Sequence, residues 1–373
     1  MAARCEQLTG ELEGLFAAIS LAVTGIEDSH VLDRIDDARF LRPLVSLALQ
    51  TRTFSFLSQA LTIRGPNVDR DFIVSVRRKF KGEVVNRSSK LLKKTLDVTE
   101  ILSKRSIRHL VIKGPLQQFQ VYGDYFVRPC SDIDLLVAPE QYTQSIDQLC
   151  TGLGLRVINS SPFLWWDVFV GERHLVDGAD DGWSVDLHHR VQAPGSPQPR
   201  STAHLIDSAV SLTVMGRAIP VMAPSYVPIL SALSMVKAFR RREVCAGHVV
   251  DLFAATSRLS AVELAAVFDL ADRQGLRGTL NLALATVMAA FGAECHLRGR
   301  LALPCQAELL PVMAFQPSEV GKWPSAHAWL RATAQGPYTS YIREAAWFEI
   351  SEISRRLEKV TKLVTRPAPR IAR

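Results

Sequence analysis

The chain has 373 residues, 47% of them hydrophobic and 22% charged, a balance that suits a globular protein with room for two or three cored regions and no low-complexity tract. Its formal charge of +7 favours an anionic partner, and a nucleoside triphosphate, nucleic acid or anionic lipid would satisfy it. Six cysteines (Cys5, Cys130, Cys150, Cys245, Cys295, Cys305) show no Cys-x-x-Cys spacing, which argues against zinc and disulfides. No apolar run reaches membrane-spanning length, so the expectation is a cytoplasmic protein without membrane insertion.

Residues 1–105 read as helical, with Leu12, Leu15 and Ile19, then Leu41, Leu44 and Leu47, at roughly helical spacing. A long charged helix is expected over 71–104, buried along Leu91, Leu92, Leu96 and Leu102. Leu110-Val111-Ile112 is a short apolar strand that runs into Lys113-Gly114-Pro115 and a helix over 116–122. A second strand holds Ile133 to Val137, and a helix follows over 139–153. Alternation between 163 and 191 predicts a hairpin with strands over 168–176 and 183–189. The Pro-, Gly- and Ser-rich stretch 192–203 reads as a linker or exposed loop. A small hairpin over 211–222 turns at Gly216, and the remainder is helical up to a basic tail at 366–373. The expected class is α+β. A small mixed sheet over 106–222 lies between an N-terminal helical region (1–105) and a C-terminal helical domain (223–373).

Chemistry concentrates in three places. In Ser131-Asp132-Ile133-Asp134 two carboxylates share one strand face, about 7 Å apart along the chain at about 3.3 Å per residue. Paired carboxylates at the end of an apolar strand need a compensating cation, and oxygen ligands suit Mg²⁺ or Mn²⁺. In Val185-Asp186-Leu187-His188 a third carboxylate, from a neighbouring strand, would complete a metal clamp of the kind used in phosphoryl transfer. Lys113-Gly114 supplies the third piece, a turn where backbone approaches a phosphate closely and Pro115 opens the next helix. The basic clusters, such as Arg77-Arg78-Lys79 and Arg240-Arg241-Arg242, lack interleaved aromatics, so nucleic acid is not favoured as partner.

The order Ile112-Lys113-Gly114, Tyr122 with Arg128-Pro129, Ser131 through Val137, and Val185 through His188 resembles the DNA polymerase beta-like nucleotidyltransferase superfamily. It is most similar to the superfamily's bacterial branch of uncharacterised nucleotidyltransferases. Asp251-Leu252 matches that branch's recurring Asp-Leu pair. The resemblance implies transfer of a nucleoside monophosphate from an NTP to a hydroxyl, with pyrophosphate released. It implies Asp132, Asp134 and Asp186 as metal-holding catalytic residues, with His188 orienting Asp186 or the acceptor. Lys113, Gly114, Arg128 and Ser131 would meet the nucleotide. The acceptor would be a small molecule, a peptide or a polysaccharide-related compound. Two departures stand out: Gly114-Pro115 replaces the superfamily's Gly-Ser, and the helix around 235–237 lacks the histidine often found there. Two other readings compete. One is a nucleotide-binding or scaffold protein without turnover. The other is a glycosyltransferase that holds a nucleotide sugar through Asp-x-Asp, which would need a nucleotide-binding α/β domain ahead of that motif.

Overall fold

The computed structural model describes residues 2–65, 69–158, 165–178, 182–292, 303–334 and 338–365. The first hundred residues are helical among those described, and the expected charged helix runs Arg70–Lys104. Seven strands follow: β1 (His109–Val111), β2 (Ile133–Val137), β3 (Leu155–Val157), β4 (Glu172–Asp177), β5 (Ser184–His188), β6 (Val210–Val214) and β7 (Arg217–Val221). They form one mixed sheet in the order β3-β4-β5-β2-β1-β7-β6. β2 is parallel to β5 and antiparallel to β1, while β7 runs parallel to β1.

Side chains alternate across the sheet, and this fixes which face carries chemistry. Ile133, Leu135 and Val137 of β2, with Val185 and Leu187 of β5, join one core that includes Leu91, Leu96 and Leu102 of the long helix. On the opposite face Leu110, Ile112 and Leu136 join a second core, shared with Leu15, Leu44 and Leu57 and with Leu230, Leu233 and Phe239. All five β2 residues are buried, as expected for a central strand covered on both faces. Asp134 is therefore a carboxylate inside the second layer, beneath the helix Val227–Arg241.

Several expectations hold. The 211–222 hairpin forms as β6 and β7, turning at Met215 (φ 51°) and Gly216 (φ 78°), the two positive φ angles that a type I′ turn requires. Others need correction. The stretch expected as a linker or exposed loop is buried over 192–197 and again at Pro199. Its backbone tolerates burial because side chains satisfy it and tie it down. Gln198 Oε1 accepts from the Gln192 amide at 3.1 Å, Gln192 Nε2 donates to the Leu233 carbonyl at 2.6 Å, and Arg240 Nη1 donates to Ser196 Oγ at 2.9 Å. The strand expected over 168–176 starts only at Glu172, because Trp166–Val170 forms a π-helical turn closed by Gly171 at φ 67°. The start of that hairpin at 163, the middle of its turn and the basic tail lie outside the described residues. No helix among the described residues is long and apolar enough to cross a membrane.

Candidate active site

The site is built from strand ends. After β1 the chain reaches Lys113 and then Gly114, whose φ of 78° and ψ of −155° fall in a region open essentially to glycine alone. This kink turns the chain into the helix Pro115–Tyr122, with Pro115 in its first turn. It leaves Lys113 Nζ 2.9 Å from Asp134 Oδ1. In the parallel pair β2/β5, Asp134 stands beside Asp186 and Leu136 beside His188. One ligand atom each from Asp134, Asp186 and His188 lie within 4.8 Å of one another. Asp132 precedes β2 and stands outside that group, but it lines the same cavity of about 330 Å³. Lys113, Gly114, Arg128, Ser131, Asp134, Asp186 and His188 line it too. Ser131 is exposed and donates through Oγ to Asp132 Oδ1 at 3.2 Å.

Charge separates the three carboxylates. Burial, then the Asp134 and Asp186 charges, hold the Asp132 carboxyl above its ordinary range. Burial also raises Asp186, against the hydrogen bond from His174 Nδ1. Asp134 goes the other way: burial pushes it up, but Lys113 and His188 outweigh burial and hold it well below the usual carboxylate range. Asp134 is thus held as an anion, while burial and like charge disfavour ionisation of Asp132 and Asp186 beside it. Such a group of carboxylates could hold a cation.

Sequence reasoning missed the support around these groups. β4 is antiparallel to β5 and sets Glu172 opposite His188 and His174 opposite Asp186. Glu172 Oε2 lies 3.6 Å from His188 Nδ1 and 3.8 Å from Lys237 Nζ. His188 is therefore held between two carboxylates, with its Nε2 3.2 Å from Asp134 Oδ1. The signal was available, since Glu172 and His174 sit two apart and share a strand face. Lys237 lines the cavity from the helix Val227–Arg241, in the stretch where the related branch carries a histidine.

Arg128 lines the cavity but is also engaged elsewhere. Its guanidinium pairs with Asp251, whose side chain is 1% exposed, and Tyr122 Oη donates to the same carboxylate at 2.7 Å. Gln118 fixes the Arg128 backbone by accepting from its N–H at 2.8 Å and donating to its carbonyl at 3.0 Å. The Tyr122, Arg128-Pro129 and Asp251-Leu252 motifs thus describe one buried cluster joining the core to the C-terminal helices. The family model for uncharacterised nucleotidyltransferases matches residues 42–292, a span that contains every group described so far in this site. The chain belongs to this nucleotidyltransferase family.

Two solved structures show weaker likeness. The antibiotic-resistance factor ANT(2'')-Ia is 13% identical, with a TM-score of 0.34 over 48% of this chain and 90% of its own. An antigenic nucleotidyltransferase-like protein from Paracoccidioides brasiliensis is 17% identical, with a TM-score of 0.30 over 55% of this chain and 99% of its own. No curated protein matches the chain. Membership of the family rests on the sequence match.

Proposed function

We propose that this nucleotidyltransferase moves a nucleoside monophosphate from an NTP–Mg²⁺ (or Mn²⁺) complex to a hydroxyl of its acceptor and releases pyrophosphate. The observation that carries the reading is the convergence of Asp134, Asp186 and His188 within 4.8 Å, in a cavity that Asp132 also lines. The donor set fits a hard divalent ion: Asp134 and Asp186 supply oxygens, and Asp132 at the strand entrance supplies a further carboxylate. His188, buried and held between Asp134 and Glu172, orients the Asp134 carboxylate. When bound, the metal lends positive charge to the phosphoryl group in flight and makes the acceptor hydroxyl more acidic.

The chain's own groups do the rest. The Gly114 kink brings backbone N–H groups and the start of the next helix toward the phosphates, and Lys113 adds a point charge. Asp186, which His174 holds in position, takes the acceptor's proton as its oxygen bonds to the α-phosphorus. The bond from that phosphorus to the bridging oxygen breaks, and pyrophosphate carries away the electron pair. The acceptor in this reading is a small molecule, peptide or polysaccharide-related hydroxyl, and the reaction draws on the NTP and Mg²⁺ of the cytoplasm.

The test uses NTPs labelled at the α or the γ position, with Mg²⁺ and a panel of hydroxyl-bearing acceptors. The expected result is α-label in the modified acceptor and γ-label in pyrophosphate, both lost in Asp134→Asn. Release of γ-label as orthophosphate would contradict the reading, because that is hydrolysis rather than nucleotidyl transfer.

A further inference from the structure

The last helix, Tyr338–Thr365, lies against the body of the protein by one face only. Ser351 on that face is 1% exposed. Trp347 packs on Phe169 at 4.7 Å between ring centroids, Arg240 sits over the Phe348 ring at 5.4 Å, and Arg355 over Trp165 at 5.8 Å. The opposite face is apolar and open. Ile342, Ile350, Ile353, Leu357 and Val360 are 50%, 53%, 56%, 63% and 58% exposed. The other exposed large hydrophobics among the described residues are scattered over many elements, so this concentration is peculiar to the last helix.

The spacing says what such a face fits. With the exposed Ala346 included, the steps run four, four, three, four and three, and at 3.6 residues per turn they fall within an arc of about 80°. A stripe this narrow, recurring every 3.5 residues on average from Ala346 to Val360, is a coiled-coil seam rather than the broad face of a helix lying on a core or in a lipid surface. A seam needs another helix with the same repeat, and a second copy of the chain provides one.

Charge decides the direction. Glu349 and Arg356 lie seven apart on one flank of the stripe and both are exposed, with Glu349 Oε1 also 2.8 Å from His327 Nε2 of its own chain. In a parallel pair they would face Ser354 and Thr361. In an antiparallel pair with Ile350 against the partner's Ile353, Glu349 meets the partner's Arg356, and the two-fold axis makes that contact twice. We propose that the chain forms a homodimer in which the two Tyr338–Thr365 helices pair antiparallel along this stripe. The inference is independent of the catalytic reading.

Sedimentation velocity of the full chain over a micromolar dilution series tests it. The expected result is a dimer that Ile353→Glu or Leu357→Glu weakens by about tenfold or more, as truncation of central apolar anchors commonly does. Both positions are more than half exposed, so the fold does not depend on them. Charge reversal gives a second reading that leaves the apolar stripe intact. Glu349→Arg alone and Arg356→Glu alone should each weaken the dimer, and the double reversal should restore it. A monomer at every concentration overturns the proposal, as does a dimer indifferent to the stripe substitutions. A double reversal weaker than either single one overturns the antiparallel pairing. Binding of the monomer to anionic vesicles through the stripe, with no dimer, would assign the face to lipid and also overturn it.

Discussion

The three aspartates of the site differ in what they do to the folded protein. Asp134 neutralises Lys113, whose side chain is 25% exposed, and pairs with the buried His188. Asp134→Asn should therefore destabilise the metal-free protein by about 1–3 kcal/mol, less than for a fully buried pair because Lys113 reaches solvent. Asp132 stands the other way. Its carboxyl is held above its ordinary range by burial and by Asp134 and Asp186. A raised acid pKa adds stability below the unfolded value and withdraws it as pH rises through the folded one. At neutral pH Asp132→Asn should thus raise the melting temperature of the metal-free protein while weakening its Mg²⁺–NTP binding. Thermal melts of the two variants with and without Mg²⁺–NTP check the contrast, and equal effects on the metal-free protein would refute it. Asp186→Asn should reduce turnover by about a hundredfold or more, the range that loss of a general base commonly gives, and should cost more in turnover than in Mg²⁺–NTP affinity.

At the scale of elements, two glycines hold the site's geometry for different reasons. Gly114 is required by backbone conformation, since a Cβ there would meet nothing closer than the Asp132 carbonyl at 3.9 Å. Gly114→Ala should cost about 1–3 kcal/mol by strain alone. Gly247 in the helix Ala246–Ser257 is required by space, because a Cβ there would fall 2.0 Å from Arg128 Nη1. Gly247→Ala should push Arg128 off Asp251 and destabilise the protein by about 1–3 kcal/mol, as read by denaturant unfolding. The elements themselves were largely legible in the sequence. The Arg70–Lys104 helix, β2 and the β6/β7 hairpin follow from period and turn chemistry in their own residues. Two features were not legible locally. The 192–199 stretch has a loop's composition, and the bonds that tie it into the fold run from Gln192 to Leu233 and from Arg240 to Ser196, both reaching a later helix. The π-helical turn at Trp166–Val170 packs Phe169 on Trp347, a residue of the last helix far along the chain.

At the scale of the molecule, pH stability follows from histidines whose surroundings disfavour the charged form. Burial depresses the buried His109 and, against the pull of Asp251, the partly exposed His248 below the ordinary histidine value. Each binds a proton more readily unfolded than folded, so stability is fully present above about pH 6.5 and is lost as pH falls below it. Melting temperature should decline from pH 7 toward pH 5, and His109→Gln should flatten part of that slope. The candidate site was legible as a set of motifs, and its residues do line one cavity. What the motifs could not convey is how they divide the work. Arg128 joins Tyr122 and Asp251 in a structural cluster, while Lys237 reaches the cavity from a helix more than a hundred residues beyond the aspartate pair. Such partnerships depend on helix placement, which no local pattern encodes.

The central claim is that Asp134 and Asp186 hold a divalent cation for an NTP. Its most direct test is an anomalous-difference map from crystals grown with Mn²⁺ and a non-hydrolysable NTP. The account predicts a Mn²⁺ peak bonded to carboxylate oxygens of both Asp134 and Asp186 at about 2.2 Å, with the triphosphate running toward Lys113 and Gly114. A well-ordered nucleotide whose Mn²⁺ touches neither carboxylate, or one seated in another cavity, would contradict it.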